Sequence, residues 1–194
     1  VEAALLFGVA TQGSASEIAA RMFVAYVHGA YPEREICEMM TWCYAGWTLA
    51  ELRQFAEDTL GERGITTRLN PALAPVLAWA RAQGLQTCLV SASPRAIVEI
   101  AAAHLQFAPS EILASEPVLD GDTIEARMHG SVPYGPTKCR VREELMNGAV
   151  WLASFGDNVF DLEMLRSAQL GVAVRPKPAL RERLPELPFV ELVG

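Results

Sequence analysis

The chain has 194 residues, 51% of them hydrophobic and 20% charged, with a formal net charge of −7 and a pI near 5.0. These proportions are ordinary for a soluble globular protein, and no apolar run approaches the length needed to cross a bilayer. The acidic balance argues against a nucleic-acid partner, which requires a clustered basic face.

The length suits one sizeable domain, or a core with a smaller cap. The opening Val1-Glu2-Ala3-Ala4-Leu5-Leu6-Phe7 has neither a basic n-region nor a cleavage site, so no signal peptide is expected. It also lacks a starting methionine, which points to further sequence upstream. From Ser14 to about Arg68 apolar positions recur at helical spacing, with Ile18, Met22 and Tyr26 joined by Ala19 and Phe23 in one stripe. Pro32-Glu33-Arg34-Glu35 opens a second helix, with acids in its first turn. Thr48-Leu49-Ala50-Glu51 has the spacing of a capping box. It precedes a third helix through Leu52, Phe55, Ala56 and Leu60 to Gly61 or Gly64. Residues 1–68 are therefore expected to form a small helical bundle.

After Asn70-Pro71 helices and strands alternate. The pattern predicts a helix from Pro71 to Gln83, a strand from Leu85 to Val90 ending at Ser91, and a helix from Pro94 to Leu105. Glu111 to Ala114 reads as a strand, and Val118 to Arg127 as a hairpin turning at Asp120-Gly121-Asp122. A helix over Thr137 to Met146 precedes a strand over Ala149 to Phe155. Another helix opens at Val159, and strands follow at Leu170 to Val174 and Phe189 to Val193. Such alternation means an α/β fold, a parallel sheet with right-handed crossovers over residues 69–194.

The four cysteines, Cys37, Cys43, Cys88 and Cys139, form no C-x-x-C pair. Buried free thiols in a reducing cytoplasm are the expectation. His28, His104 and His129 show no ligand spacing. Trp79 and Trp151 are expected in the core, as are Trp42, Tyr44 and Trp47 beside the cap turn. Arg34 and Arg53 are expected to be solvated helix charges, with recognition of a substrate carboxylate the alternative.

Three places carry candidate chemistry. Ser91 ends a strand in Leu89-Val90-Ser91-Ala92-Ser93-Pro94, where its hydroxyl and the following N–H groups would face an anion at a helix N-terminus. A nucleophilic serine would need a G-x-S-x-G elbow and a histidine, and neither is present. Lys138, in Tyr134-Gly135-Pro136-Thr137-Lys138, stands at a helix N-terminus that the dipole makes unfavourable for a cation, so a phosphate or carboxylate partner is expected. Asp157 and Asp161, in Phe155-Gly156-Asp157-Asn158-Val159-Phe160-Asp161, follow an apolar strand and flank a helical turn. Capping needs only one such acid, and carboxylates at the carboxyl end of a buried strand lie where α/β enzymes place their chemistry.

The order strand–Ser, then Lys, then strand–Gly-Asp-x-x-x-Asp resembles the haloacid dehalogenase superfamily, in its phosphoserine-phosphatase-like branch. Ser91 matches that family's second motif, Lys138 its third, and Asp157 with Asp161 its fourth. The resemblance covers residues 69–194 by motif and implies a Rossmann-like parallel-sheet core. Residues 1–68 match the family's helical cap less specifically, through Ala45-Gly46-Trp47-Thr48-Leu49-Ala50-Glu51-Leu52.

The family's first motif, D-x-D-x-T, is not in the sequence, whose aspartates are Asp58, Asp120, Asp122, Asp157 and Asp161. Leu5-Leu6-Phe7-Gly8-Val9-Ala10-Thr11 has a similar outline, with glycine and alanine where the carboxylates belong. The expectation is a chain that begins inside the cap, with the central first strand upstream.

The resemblance implies Mg²⁺-dependent hydrolysis of a phosphate monoester through a phospho-aspartate, on a small phosphorylated metabolite and without a membrane partner. Asp157 would ligate Mg²⁺, and Asp161 would either join the metal site or orient Lys138. Lys138 would screen the charge of the phosphoryl group, and Ser91 with the Ala92 N–H would hold one of its oxygens. The alternatives are a catalytically inactive binding protein on the same scaffold, or another hydrolase of the superfamily such as a dehalogenase.

Overall fold

A computed structural model describes residues 8–186 and 190–193 of the chain. The opening Val1–Phe7, with its outline of a first strand, and Phe189 lie outside them. The helical half comprises α1 (Ala15–Val27), α2 (Glu33–Trp42), α3 (Leu49–Glu62) and the single turn α4 (Ile65–Arg68). After α5 (Leu73–Ala82) come β1 (Leu89–Pro94), α6 (Arg95–Ala103), β2 (Ile112–Asp120) and β3 (Thr123–His129). A 3-10 segment over Gly135–Arg140 runs into α7 (Val141–Glu144) and is followed by β4 (Ala153–Gly156). A second 3-10 turn, Val159–Asp161, leads into α8 (Leu162–Ser167), then β5 (Leu170–Val174), α9 (Pro178–Arg181) and β6 (Val190–Val193). The fold is α/β. One sheet has the order β1-β2-β3, with β2 and β3 antiparallel, and the other is β4-β5-β6, parallel throughout.

The helix starts follow local chemistry. The expected box at α3 forms reciprocally: the Thr48 N–H donates to Glu51 Oε2 at 2.7 Å, and the Glu51 N–H donates to Thr48 Oγ1 at 3.2 Å. Ser14 and Glu17 make a second box at α1. Both glutamates are held below their ordinary value of 4.5, chiefly by the backbone N–H each accepts. A lowered folded-state value means that this support is complete above 4.5 and fades as pH falls through the lowered value. Thr48→Ala removes the hydroxyl end of the α3 box. It should cost about 1 kcal/mol of unfolding free energy in a urea titration at neutral pH.

The chain divides into two compact units. The first takes in residues 1–69, 91–108 and 114–132, and the second residues 70–90, 109–113 and 133–194. In the first, Ile18, Ala19 and Met22 of the expected stripe pack with Tyr31, Ile36, Met39 and Trp42, and Tyr26 lies partly buried against them, whereas Phe23 is 53% exposed. Ala126 and Met128 of β3 close that core, so the helices do not bury it alone. A second cluster joins Leu52 of α3 to Ala96 of α6 and Ile124 of β3. The turn before α3 is laced to the hairpin, Gly46 N–H to Ile124 O at 2.9 Å and Ile124 N–H to Trp47 O at 2.8 Å.

In the second unit Leu162, Leu165, Ala173 and Leu180 form one core. Trp151 joins another with Leu113, Val141 and Met164.

Several boundaries differ from the sequence reading, each for a local reason. Helix α5 closes on Gly84 (φ 67°), and residues 85–88 stay irregular while the Gln86 side chain donates to the Leu145 carbonyl and the Thr87 hydroxyl to Glu111. The strand therefore starts at Leu89 and runs on through Ser91, which lies inside it rather than at its end. Pro94 is extended (ψ 131°) and caps α6, which begins at Arg95. The apolar run Ala149–Leu152 is not a strand, although the Trp151 and Leu152 carbonyls accept from the Gln169 and Leu170 N–H groups, and Val150 and Leu152 are exposed. Trp79 is 60% exposed, contrary to the expected core position, whereas Trp151 is buried as expected. The segment carrying Lys138 is 3-10 rather than α-helical.

All four cysteines are free. Burial pushes the Cys43 thiol up to about 11 and raises that of Cys88, where the nearby Glu111 adds to it, so neither is activated as a nucleophile.

Candidate active site

The second unit brings Lys138, Asp157 and Asp161 together at the carboxyl ends of the parallel strands, the place open α/β sheets use for ligands. Asp157 follows β4 directly, and the loop after β5 returns to it, with the Lys177 N–H donating to the Asp157 carbonyl at 2.8 Å. The Lys177 ammonium lies 3.2 Å from Asp157 Oδ2, and both side chains are more than half exposed.

Asp161 is the buried member, at 4% exposure. Its Oδ1 pairs with Lys138 Nζ. Its Oδ2 accepts the backbone N–H groups of Asp157 at 3.1 Å and Asn158 at 2.9 Å. One carboxylate thus holds a lysine and the turn that presents the other carboxylate. The turn is held by Asp161 reaching back to the preceding N–H groups, while the Asp157 side chain is directed to Lys177.

Three features of this arrangement escaped the sequence reading. Gly156 admits Asp161: a Cβ on Gly156 would lie 2.5 Å from Asp161 Cβ and 2.8 Å from its Oδ2. Tyr134 and Phe160 stack with ring centroids 4.3 Å apart at 35°, tying the segment before Lys138 to the turn before Asp161. Lys177 had no motif to mark it. The signal for the first was visible in Gly-Asp-x-x-x-Asp, but that for the aromatic pair needs two segments over twenty positions apart to be known as neighbours.

The two carboxylates differ as ligands. Asp157 offers hard oxygen donors at a solvent-open position, the type Mg²⁺ takes while keeping several waters. Both Asp161 oxygens are engaged by Lys138 and the two N–H groups. Among the described residues no three His, Cys, Asp or Glu side chains converge on one point. The donor chemistry fits a hard cation held through Asp157 as a single carboxylate ligand from this turn.

Ser91 and Ala92 belong to the first unit. The Ser93 N–H donates to Ser91 Oγ at 3.1 Å, and the Ala92 carbonyl accepts from Ser115 Oγ at 2.9 Å. Arg53 bonds Glu99 at 3.1 Å, and Arg34 lies 3.6 Å from Glu38, so each guanidinium has a carboxylate partner within the protein. Trp47 meets Tyr44 and Phe55 edge to face with centroids 5.6 Å apart, and Tyr44 and Phe55 lie tilted at 6.1 Å; Trp47 is exposed rather than in the expected core. Among the described residues no helix is long and apolar enough to cross a membrane.

A family model described as haloacid dehalogenase-like hydrolase matches residues 3–166. No curated protein matches the sequence. Among solved structures, a protein of unknown function from Bordetella pertussis Tohama I superposes with a TM-score of 0.75 at 20% identity, over 100% of this chain and 89% of its own. A HAD family hydrolase from Salmonella enterica serovar Typhi gives 0.62 at 19%, over 98% and 60%. A probable phosphoserine phosphatase from Vibrio cholerae gives 0.65 at 18%, over 98% of this chain and 54% of its own.

Proposed function

We propose that this chain, which belongs to the haloacid dehalogenase-like hydrolases, follows the phosphoserine-phosphatase-like branch and that its chemistry is Mg²⁺-dependent hydrolysis of a small phosphate monoester in the cytoplasm. The observation that carries this reading is the buried Lys138–Asp161 pair, whose second carboxylate oxygen also fixes the turn bearing the open Asp157. A structural ion pair has no need of a second, solvent-open acid beside it.

In this reading Asp157 is the metal ligand. Of the two roles open to Asp161, orienting Lys138 is the one its bonding supports. Lys138, held in place by Asp161, presents positive charge to a phosphoryl oxygen where charge develops in the transition state. By the family pattern Ser91 and the Ala92 N–H are read as phosphate-binding groups. Mg²⁺, when bound, would neutralise phosphoryl charge and template the approach of the nucleophile. Residues 1–68 are read as the family's cap and residues 69–194 as its core, and the attack on phosphorus through a phospho-aspartate falls to a carboxylate other than Asp157 or Asp161. The second reading is a protein that binds phosphate esters on this scaffold without turning them over.

A screen of the intact protein against phosphoserine, phosphocholine and sugar phosphates, with and without Mg²⁺, separates the two. The enzyme reading expects turnover that requires Mg²⁺ and disappears in Asp157→Asn. Wild-type rates in Asp157→Asn would remove Asp157 from the metal site, and Mg²⁺-dependent binding with no turnover of any ester would favour the second reading.

A further inference from the structure

We propose that Ser115 is a positioning residue that sets the Ser91 hydroxyl for phosphate, an inference that rests on the reading of Ser91 as a phosphate-binding group. Strand β2 enters with four fully buried residues, Ile112, Leu113, Ala114 and Ser115, and Ser115 alone among them is polar, at 1% exposure. A hydroxyl buried in such company is costly unless bonded. Its O–H donates to the Ala92 carbonyl at 2.9 Å.

That carbonyl and the Ser93 N–H are the two ends of one peptide group, which is planar. The Ser93 N–H donates to Ser91 Oγ at 3.1 Å. Ser115, the 92–93 peptide and Ser91 therefore form one chain of hydrogen bonds running in a single direction, and each bond polarises the next. The Ser91 oxygen accepts a hydrogen bond from the Ser93 N–H, so its own O–H is left to donate onward, which is the polarity a phosphoryl oxygen needs. The residue after Ser115 holds the other end of the same segment: Glu116 pairs with Arg95, the first residue of α6. Beyond the pairing of the two strands, β2 thus holds the Ser91–Arg95 stretch through two side chains, and Ser115 is the one whose bond passes through to Ser91.

The test is calorimetric titration of inorganic phosphate into the intact protein with Mg²⁺ present, alongside kcat and KM. Ser115→Ala should weaken phosphate binding about five- to tenfold, the scale of one hydrogen bond, and raise KM more than it lowers kcat. Ser115→Thr, which keeps the hydroxyl, should restore affinity. If Ser115→Ala does not fold, Ser115→Cys, with its weaker donor, should give a smaller loss in the same direction. Adding Ser115→Ala to Ser91→Ala should weaken binding no further than Ser91→Ala alone. Wild-type phosphate affinity in Ser115→Ala or Ser115→Cys, with Ser91→Ala impaired, would overturn the role of Ser115 by itself. Wild-type affinity in Ser91→Ala would overturn the reading of Ser91 and the role of Ser115 with it.

Discussion

Asp161→Asn should lower the unfolding free energy by about 3–5 kcal/mol, the cost of breaking a buried ion pair from one side, and should abolish turnover. The Lys138 and Asp161 side chains are 13% and 6% exposed, so water cannot replace the lost partner. The asparagine amide can still accept the N–H groups of Asp157 and Asn158 through its oxygen. Its NH₂ would then face the Lys138 ammonium, donor against donor, with a buried charge left uncompensated. Urea unfolding and steady-state kinetics read both effects. Adding Lys138→Met should recover part of the stability, because an apolar pair tolerates burial better than a lone charge, and none of the activity. A single Asp161→Asn variant as stable as wild type would mean that the pair is screened by solvent and orients nothing.

Gly156→Ala should reduce kcat by about 100-fold, the scale of an ångström of misplacement at a reacting centre, with a stability loss of about 1–3 kcal/mol. The added Cβ would sit 2.5 Å from Asp161 Cβ and 2.7 Å from its Cγ, distances that real Cβ atoms do not show. Asp161 cannot swing aside cheaply, because both its oxygens are bonded. Either the carboxylate leaves Lys138 or the end of β4 shifts, and each displaces the turn carrying Asp157. Gly61→Ala is the matched control. It lies in α3 with open space where its Cβ would go, and should leave kcat unchanged while stabilising the helix by up to about 1 kcal/mol. Equal kinetics in the two alanine variants would show that the close approach of Gly156 to Asp161 has no bearing on catalysis.

What could be read without coordinates was whatever is encoded within a few residues. The box at Thr48 and Glu51, the turn at Asp120-Gly121-Asp122 and the span of β5 are local, and each stands where the residues put it. The α/β class followed from alternation and holds. Strand limits were read poorly because apolar runs do not say which residues have a ladder partner. Ala149–Leu152 looks like a strand and is not one, while Ser91–Pro94 extends a strand through polar and proline positions. The approach of Lys138 to Asp161 was expected from the family pattern, but which carboxylate would be buried was not legible. That depends on Gly156 leaving room and on two N–H groups converging on Oδ2. Lys177 and the Tyr134–Phe160 stack depend on loops that meet only after the sheet has formed.

The most direct measurement is Mg²⁺ binding by the intact protein, followed by calorimetry without substrate in wild type, Asp157→Asn and Asp58→Asn. Asp58 lies on α3, where it accepts from Gln54 at 3.0 Å, and serves as a carboxylate control. The account predicts a site present in wild type and Asp58→Asn and absent in Asp157→Asn. Undiminished Mg²⁺ affinity in Asp157→Asn would contradict it.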